Sequence, residues 1–496
     1  MGSDRALSGI LGAAFLATFL LTSGGHFYSA DGSKEYEVTK ALVTRQAIDV
    51  PAGLGIAGSD GRAYPPHGLG QSIAWVPFFG VASGLEKAGF GDQAHGLVAS
   101  WLNALATAAT VALLALLALR LEARRRAAVA LALGYGLTTM AWVYSKNTFD
   151  VALTGLLVTA AIVALERAER EGNGRALVLA GAALGWAGVT RVPTVLLWPL
   201  AFLFVAALGR SGMVGRLIRF GLPLLASLAV IFAYNAARFG SIFDDGHRND
   251  PATALNGSIL DGTAGLLFSP GRGLVFYAPL VLVAAFGWKT FARRRPRMTW
   301  LAAGSVAATV LVYAKVVGWH GGFSWGPRFL LPVLPLVVLP AAFVFDRWTQ
   351  LPRAGRIAAA GALVAGLIVT VPGVLADYQV QVLLRNEAGH SVDDVWRFDN
   401  AAYVFHARAL DDIAAGDAPF PGSKTDSARP QENTWDFWWW YAIIQRRAVA
   451  LVIPVMLLLV GGGALAWRAV IGSARADPRN ATSSPGSAPT GAVASG

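Results

Sequence analysis

Three carboxylates follow the first hydrophobic run closely: Asp31, Glu35 and Glu37 lie in the polar stretch 25–71. An ionised carboxylate beside such a run is costly unless it is solvated or paired. One well-placed carboxylate is enough to take a proton from a hydroxyl. Asp31, nearest the run, is the candidate base; the plain alternative is a solvated loop aspartate. Glu35 and Glu37 are expected on the solvated side of a short helix over 33–45, with Val38, Ala41 and Leu42 on its other side. Cations that could meet an anion stand at the ends of other apolar runs. Arg191 either snorkels to headgroups or binds a phosphate. Lys146 and Asp150 share one short connection and could simply pair. Arg238, Arg272 and Arg328 each sit in a loop rich in glycine and aromatic residues. His67 follows Pro65 and Pro66 and precedes Gly68. A single histidine at no ligand spacing does not by itself define a metal site.

The elements that must position these groups are set by composition. Charged residues are 14% of the chain and hydrophobic ones 55%, against roughly 25% charged for soluble domains. Mean hydropathy is +0.50. Apolar runs recur along the length, and a bilayer-spanning helix needs ~20 such residues. The expected fold is therefore an all-α polytopic membrane protein with about 12 spans, in the range of about 11–13. The runs are 6–22, 94–119, 127–144, 151–165, 176–189, 194–208, 217–237, 274–288, 300–317, 329–345, 357–376 and 448–467. A cleaved signal peptide is the rival reading of the first. Residues 68–87, with Pro77 and several glycines, are expected to lie at the interface, with a true span as the alternative. Cysteine is absent, which removes disulfides and thiolate metal sites.

The net charge of +11 does not point to nucleic acid, because the basic residues cluster in short alternate loops. Those around 120–126, 167–175, 210–219, 289–297 and 347–356 go to the cytoplasm by the positive-inside rule. Both termini then fall inside, and the intervening loops, including 23–93, outside. The organisation expected is a transmembrane region over 1–376, an external loop or small cap over 377–447, a last span over 448–470 and a disordered tail over 471–496, rich in Ser, Pro, Gly and Ala. No Walker sequence, zincin motif or GxSxG elbow is present.

Five motifs in order carry a resemblance. They are Asp31 after the first run, YPPHGLGQS over 64–72 with VPF at 76–78, RFGSIFD over 238–244, LFSPGRGL over 267–274, and WGPRFLLPVLP over 325–335. Together they resemble bacterial GT-C membrane glycosyltransferases, and more narrowly the polyprenyl-phosphate-sugar-dependent enzymes related to protein mannosyltransferases. The resemblance covers about 7–340. It implies a catalytic aspartate, here Asp31, in a first external loop that also carries juxtamembrane helices. Many relatives place an Asp-Glu pair there, whereas Gly32 follows Asp31. It further implies a polyprenyl-phosphate-linked sugar donor and an acceptor hydroxyl on an envelope glycan, lipid or protein. Arg191, Arg328, Lys146 and Arg272, with His67, are the expected ligands of the phosphate. The expected place is the plasma (inner) membrane, with the active site on the outer face. No cofactor is specified, and a divalent metal stays open. The alternative is a multi-pass transporter or lipid flippase, which would be expected to hide ionisable residues at mid-membrane.

Overall fold

The computed structural model describes residues 2–416 and 434–475. Each hydrophobic run becomes helical, because a chain without water must satisfy its backbone internally. In order these are α1 (Gly2–Leu21), α2 (Ala30–Arg45), α3 (Leu69–Leu85), α4 (Gln93–Arg120), α5 (Arg125–Leu137), α6 (Ala141–Lys146), α7 (Val151–Glu171), α8 (Gly174–Thr190), α9 (Trp198–Ala206) and α10 (Met213–Phe239). Then come α11 (Ile259–Phe268), α12 (Leu274–Tyr277), α13 (Leu280–Arg294), α14 (Pro296–Lys315), α15 (Leu334–Val338), α16 (Ala341–Phe345), α17 (Arg353–Leu375), α18 (Val380–Glu387), α19 (Ala402–Ala415), α20 (Trp438–Ile444) and α21 (Val449–Arg475).

Among the described residues, eight helical stretches are long and apolar enough to cross a membrane: α1, α4, α7, α10, α14, Arg328–Phe345, α17 and α21. The other four expected spans are short or interrupted, and local chemistry explains the breaks. The 127–144 run parts into α5 and α6 at Thr138 and Thr139, whose hydroxyls donate back to Gly134 O and Tyr135 O, both at 2.7 Å. Such back-bonding bends helices. The 274–288 run is interrupted at Pro279. The 194–208 run begins as a 3-10 turn with Pro193 near its start. Prolines also divide the 328–345 stretch, which starts as a 3-10 helix at Arg328 and continues as α15 and α16. Large apolar side chains point outward along the long helices, among them Leu222 and Leu225 on α10, Ile368 on α17 and Leu458 on α21. Apolar surface of that extent marks contact with lipid.

The two helices expected in the first loop are present as α2 and α3, and they pack on each other. A small hairpin between them, Ile56–Ala57 with Ala63–Tyr64, had no hydrophobic signature to announce it. It rests on α10, where Ser59 N donates to Arg238 O at 3.0 Å.

The two ends of the bundle differ in charge. At one end Arg125 meets Asp4 at 3.4 Å, Arg295 meets Glu122 at 2.6 Å, Arg297 meets Glu169 at 3.1 Å, and Arg126 donates to Ala474 O at 3.4 Å. The start of α1, the basic loops and the end of α21 are thus gathered together. The loop after α1, which carries α2 and α3, sits at the far end of α1, together with the described parts of 377–447. Residues 417–433 of that segment, and 476–496 of the expected tail, lie outside the described residues. Residues 471–475, expected in the tail, instead continue α21.

Candidate active site

Asp31 occupies the first turn of α2. Ser29 caps that helix, its hydroxyl accepting from Gly32 N at 3.1 Å. A carboxylate in a first turn is favoured by the helix dipole. Gly32 is required for close packing: a Cβ there would lie 2.3 Å from Thr148 Oγ1. The Asp31 side chain keeps 37% of its surface open, and its Oδ2 accepts from Arg328 Nη1 at 3.1 Å. Burial works to raise its pKa, but the Arg328 charge and hydrogen bond, with the His67 and Arg191 contributions, together outweigh it and hold the carboxyl below the usual range. Asp31 is therefore ionised at neutral pH. His67 Nε2 approaches Oδ1 at 3.8 Å, beyond hydrogen-bond distance. Burial pushes that imidazole down to about 4, so it is neutral at pH 7. Arg328 is left as the charged partner, and Oδ1 carries no strong bond.

Arg328 lies against two aromatic faces, 4.8 Å from the Phe149 centroid and 5.1 Å from that of Phe329. Its Nε–H is buried without a partner. Phe329 stacks on Tyr313 at 4.3 Å, and Arg191 sits 5.0 Å from the Phe329 ring. The break at α8 positions Arg191, which donates to Asp150 at 2.8 and 3.1 Å and to Tyr313 Oη at 2.9 Å. A narrow crevice with room for about 10 Å³ lies beside it, walled by Leu197, Val312, Phe329, Pro332 and Val333. A largely apolar crevice thus abuts Arg191, which shares the Phe329 ring with Arg328.

Other expectations change. Lys146 is buried and committed: its Nζ meets Asp436 Oδ2 at 2.6 Å, Val374 O at 2.6 Å and Asp436 O at 3.0 Å. Those three acceptors use its three protons, so it is withdrawn from the phosphate set. It does not pair with Asp150, which holds Arg191 instead. Glu35 is not on a solvated face. It is 2% exposed and turns inward with Gly32, Tyr36 and Thr39. Gln71 Nε2 donates to its Oε2 at 3.2 Å, while Oε1 has no partner. Burial, and then the Asp150 and Asp31 charges, raise its carboxyl well above the ordinary range. Only Glu37 stays partly open, near Lys40 at 3.9 Å. Arg272 is buried near the Gly321–Gly322 turn, donating to Gly322 O at 2.6 Å. Arg238 is structural: it donates to Pro65 O at 2.6 Å and so anchors the loop bearing His67.

Sequence reasoning missed Asp436 and Asp377. Asp436 Oδ1 accepts from His26 at 2.9 Å and Tyr441 at 2.8 Å, and Oδ2 accepts from Tyr28 at 2.8 Å. Asp377 lies 3.2 Å from His26. Burial lowers the His26 pKa, but the two carboxylates outweigh it and bring it up to about 8. His26, Asp377 and Asp436 are the cluster with metal-ligand spacing among the described residues. Lys146 already neutralises Asp436 there, and a metal would have to displace it. Linear sequence offered one cue, the aromatic run 437–441 next to Asp436.

Residues 90–237, from the turn before α4 almost to the end of α10, match the family model described as dolichyl-phosphate-mannose-protein mannosyltransferase. Asp31 and Arg328 lie outside that match. No curated protein sequence matches the chain significantly. Among solved structures, ArnT from Cupriavidus metallidurans in the apo state is similar at 12% identity and a TM-score of 0.50, over 93% of this chain and 71% of that one. ArnT of the same organism bound to undecaprenyl phosphate matches at 13% identity and TM-score 0.46, over 84% and 80% of the two chains. The apo Archaeoglobus fulgidus oligosaccharyltransferase matches at 11% and 0.49, over 75% of this chain and 55% of its own. The chain is therefore a polytopic helical membrane protein with the fold of ArnT, and its α4–α10 segment matches the dolichyl-phosphate-mannose-protein mannosyltransferase family.

Proposed function

We propose that the protein is a membrane glycosyltransferase that moves a sugar from a polyprenyl-phosphate donor to an acceptor hydroxyl on the outer face of the plasma membrane. The observation that carries this reading is the Asp31–Arg328 pair: an open, ionised carboxylate bound to a guanidinium that keeps a further N–H unpartnered. The family matched by residues 90–237 supports a polyprenyl-phosphate donor.

In this reading the acceptor hydroxyl attacks the anomeric carbon opposite the phosphate. The new glycosidic bond forms as the bond to phosphate oxygen breaks, and the configuration inverts. The hydroxyl proton goes to Asp31 Oδ1, the oxygen not held by Arg328. The lipid phosphate leaves as an anion and needs no acid. Its growing charge is met by Arg328 and Arg191, as preorganised cations stabilise transition states most when they need not move. Neutral His67 shapes the pocket without competing for the phosphate.

The basic end of the bundle faces the cytoplasm on this reading, which puts Asp31 outside. The test uses purified protein with a polyprenyl-phosphate sugar and a panel of envelope glycan, lipid and protein acceptors. The expected product has the anomeric configuration opposite to the donor, and Asp31→Asn slows its formation by ~10²–10⁴. Product of retained configuration, or full activity of Asp31→Asn, would refute the assignment.

A further inference from the structure

Besides Arg238, whose three nitrogens are all hydrogen-bonded to neutral acceptors, two guanidinium groups beyond the Asp31 centre are buried without a carboxylate. Arg272 and Arg385 are each 1% exposed. Arg272, from the turn before α12, donates to Gly271 O at 3.0 Å and Gly322 O at 2.6 Å. Arg385, from α18, donates to Asn400 Oδ1 at 2.8 Å and Asn400 O at 3.0 Å. All four acceptors are neutral. Each group also keeps one buried nitrogen with no partner, Nε of Arg272 and Nη1 of Arg385. The carboxylates paired in this region belong to others: Asp31 to Arg328 at 3.1 Å, and Asp393 to His320 at 3.0 Å. Neither Arg272 nor Arg385 forms an ion pair among the described residues.

Both groups converge on one loop. Arg272 holds Gly322, and Arg385 lies 5.9 Å from the Phe323 ring centroid. Gly321 and Gly322 take positive φ values of 73° and 63°, which turn the loop tightly. Arg328 packs on the same loop, with its Nε 3.2 Å from where a Gly321 Cβ would lie. Burial, and then the Arg272 charge, push Arg385 down to about 10. Buried, mutually repelling cations with free N–H groups are costly unless an anion completes them.

We propose that Arg272 and Arg385 form an anion-binding subsite for a phosphate or carboxylate group of a substrate of the glycosyl transfer described above. Two substrates could bring such a group, the lipid-phosphate donor and an anionic acceptor. The placement favours the acceptor. Arg328 and Arg191 give the donor phosphate its own cations in that reaction, whereas Arg385 comes from the segment after α17. The inference rests on the proposed reaction for the role of the anion, but not for its binding.

The experiment compares thermal unfolding of the full-length, detergent-purified protein in sodium phosphate and in sodium chloride at matched ionic strength. A ligand that binds only the folded state raises the midpoint with concentration. Phosphate is expected to raise the wild-type midpoint above chloride, and this shift is expected to be lost in Arg272→Gln and Arg385→Gln. No phosphate-specific shift in the wild type, or an equal shift in both variants, overturns the subsite. Should Arg385→Gln fail to fold because Asn400 loses its partner, Arg385→Lys takes its place. A weaker shift then supports the subsite, and an unchanged shift overturns it. A second arm measures binding of a polyprenyl phosphate to the same variants. Retained binding supports the acceptor as the source; lost binding overturns that assignment in favour of the donor. Neither arm requires turnover, so a failure of sugar transfer would sink the proposed reaction and leave the subsite decided by the phosphate shift alone.

Discussion

Arg328 binds Asp31 from 297 positions away in the sequence, Nη1 to Oδ2 at 3.1 Å. The pair joins the first turn of α2 to the start of the proline-broken stretch 328–345. It couples a carboxylate to a cation in one contact, so the two residues should respond differently to substitution.

Asp31→Asn keeps the shape but cannot accept a proton at neutral pH. Turnover is expected to fall by ~10²–10⁴, with little change in donor affinity, as measured with a polyprenyl-phosphate sugar. Arg328→Ala should weaken both donor use and turnover, through the loss of a charge-assisted contact of about 1.5–3 kcal/mol. Arg328→Lys should recover only part, because an ammonium cannot serve two partners through a planar fork. Equal donor kinetics in wild type and Arg328→Ala would remove Arg328 from the donor site.

Glu35→Gln should be nearly silent in both stability and turnover. The buried carboxyl is pushed toward its protonated form, which an amide imitates in size and polarity. Glu35→Ala should destabilise by about 1–3 kcal/mol, because Gln71 loses an acceptor inside the fold. A large loss of turnover in Glu35→Gln, with normal unfolding, would show that the second acid takes part in chemistry.

Lys146→Met should lower stability strongly without touching donor binding. It leaves Asp436 buried with only His26 as a cationic neighbour. Breaking one partner out of a buried pair costs about 3–5 kcal/mol. Thermal unfolding of Lys146→Met and of Lys146→Met with Asp436→Asn checks this, the double variant being expected to recover part of the loss.

The His26 network should make stability depend on pH. The imidazole faces Asp377 and Asp436, with Tyr28, Tyr441 and Lys146 around the same carboxylate. Its folded-state value of about 8 lies above the ordinary 6.5. A raised value in a base stabilises the fold fully below pH 6.5, and that contribution is lost as pH rises through 8. The loss amounts to about 2 kcal/mol. Asp377 acts lower: its carboxyl is raised to about 6, chiefly by burial, so ionising it costs stability as pH rises from 3.8 to 6. Unfolding midpoints between pH 6 and 9 should decline in the wild type and stay flatter in His26→Gln. Parallel curves would place the titration elsewhere.

What the sequence determined by itself was the class and the membrane frame. Apolar runs must become helices once water is excluded, and basic loops must gather at one end. Both follow from local composition, which is why α1, α4, α7, α10, α14, α17 and α21 fall close to the hydrophobic runs. The breaks at Thr138–Thr139 and at Pro332 and Pro335 were written in the sequence too, but their effect on span length depends on packing. Asp31 stood out as a candidate because a carboxylate beside an apolar run is costly. Its partner was not, since Arg191, Arg272, Arg328 and Lys146 look alike as cations at helix ends. Only the tertiary structure decided that Arg328 reaches Asp31, that Arg191 goes to Asp150, and that Lys146 is consumed by Asp436, 290 positions away. Charge pairing acts over a few ångströms in space, and nothing in linear spacing reports that distance.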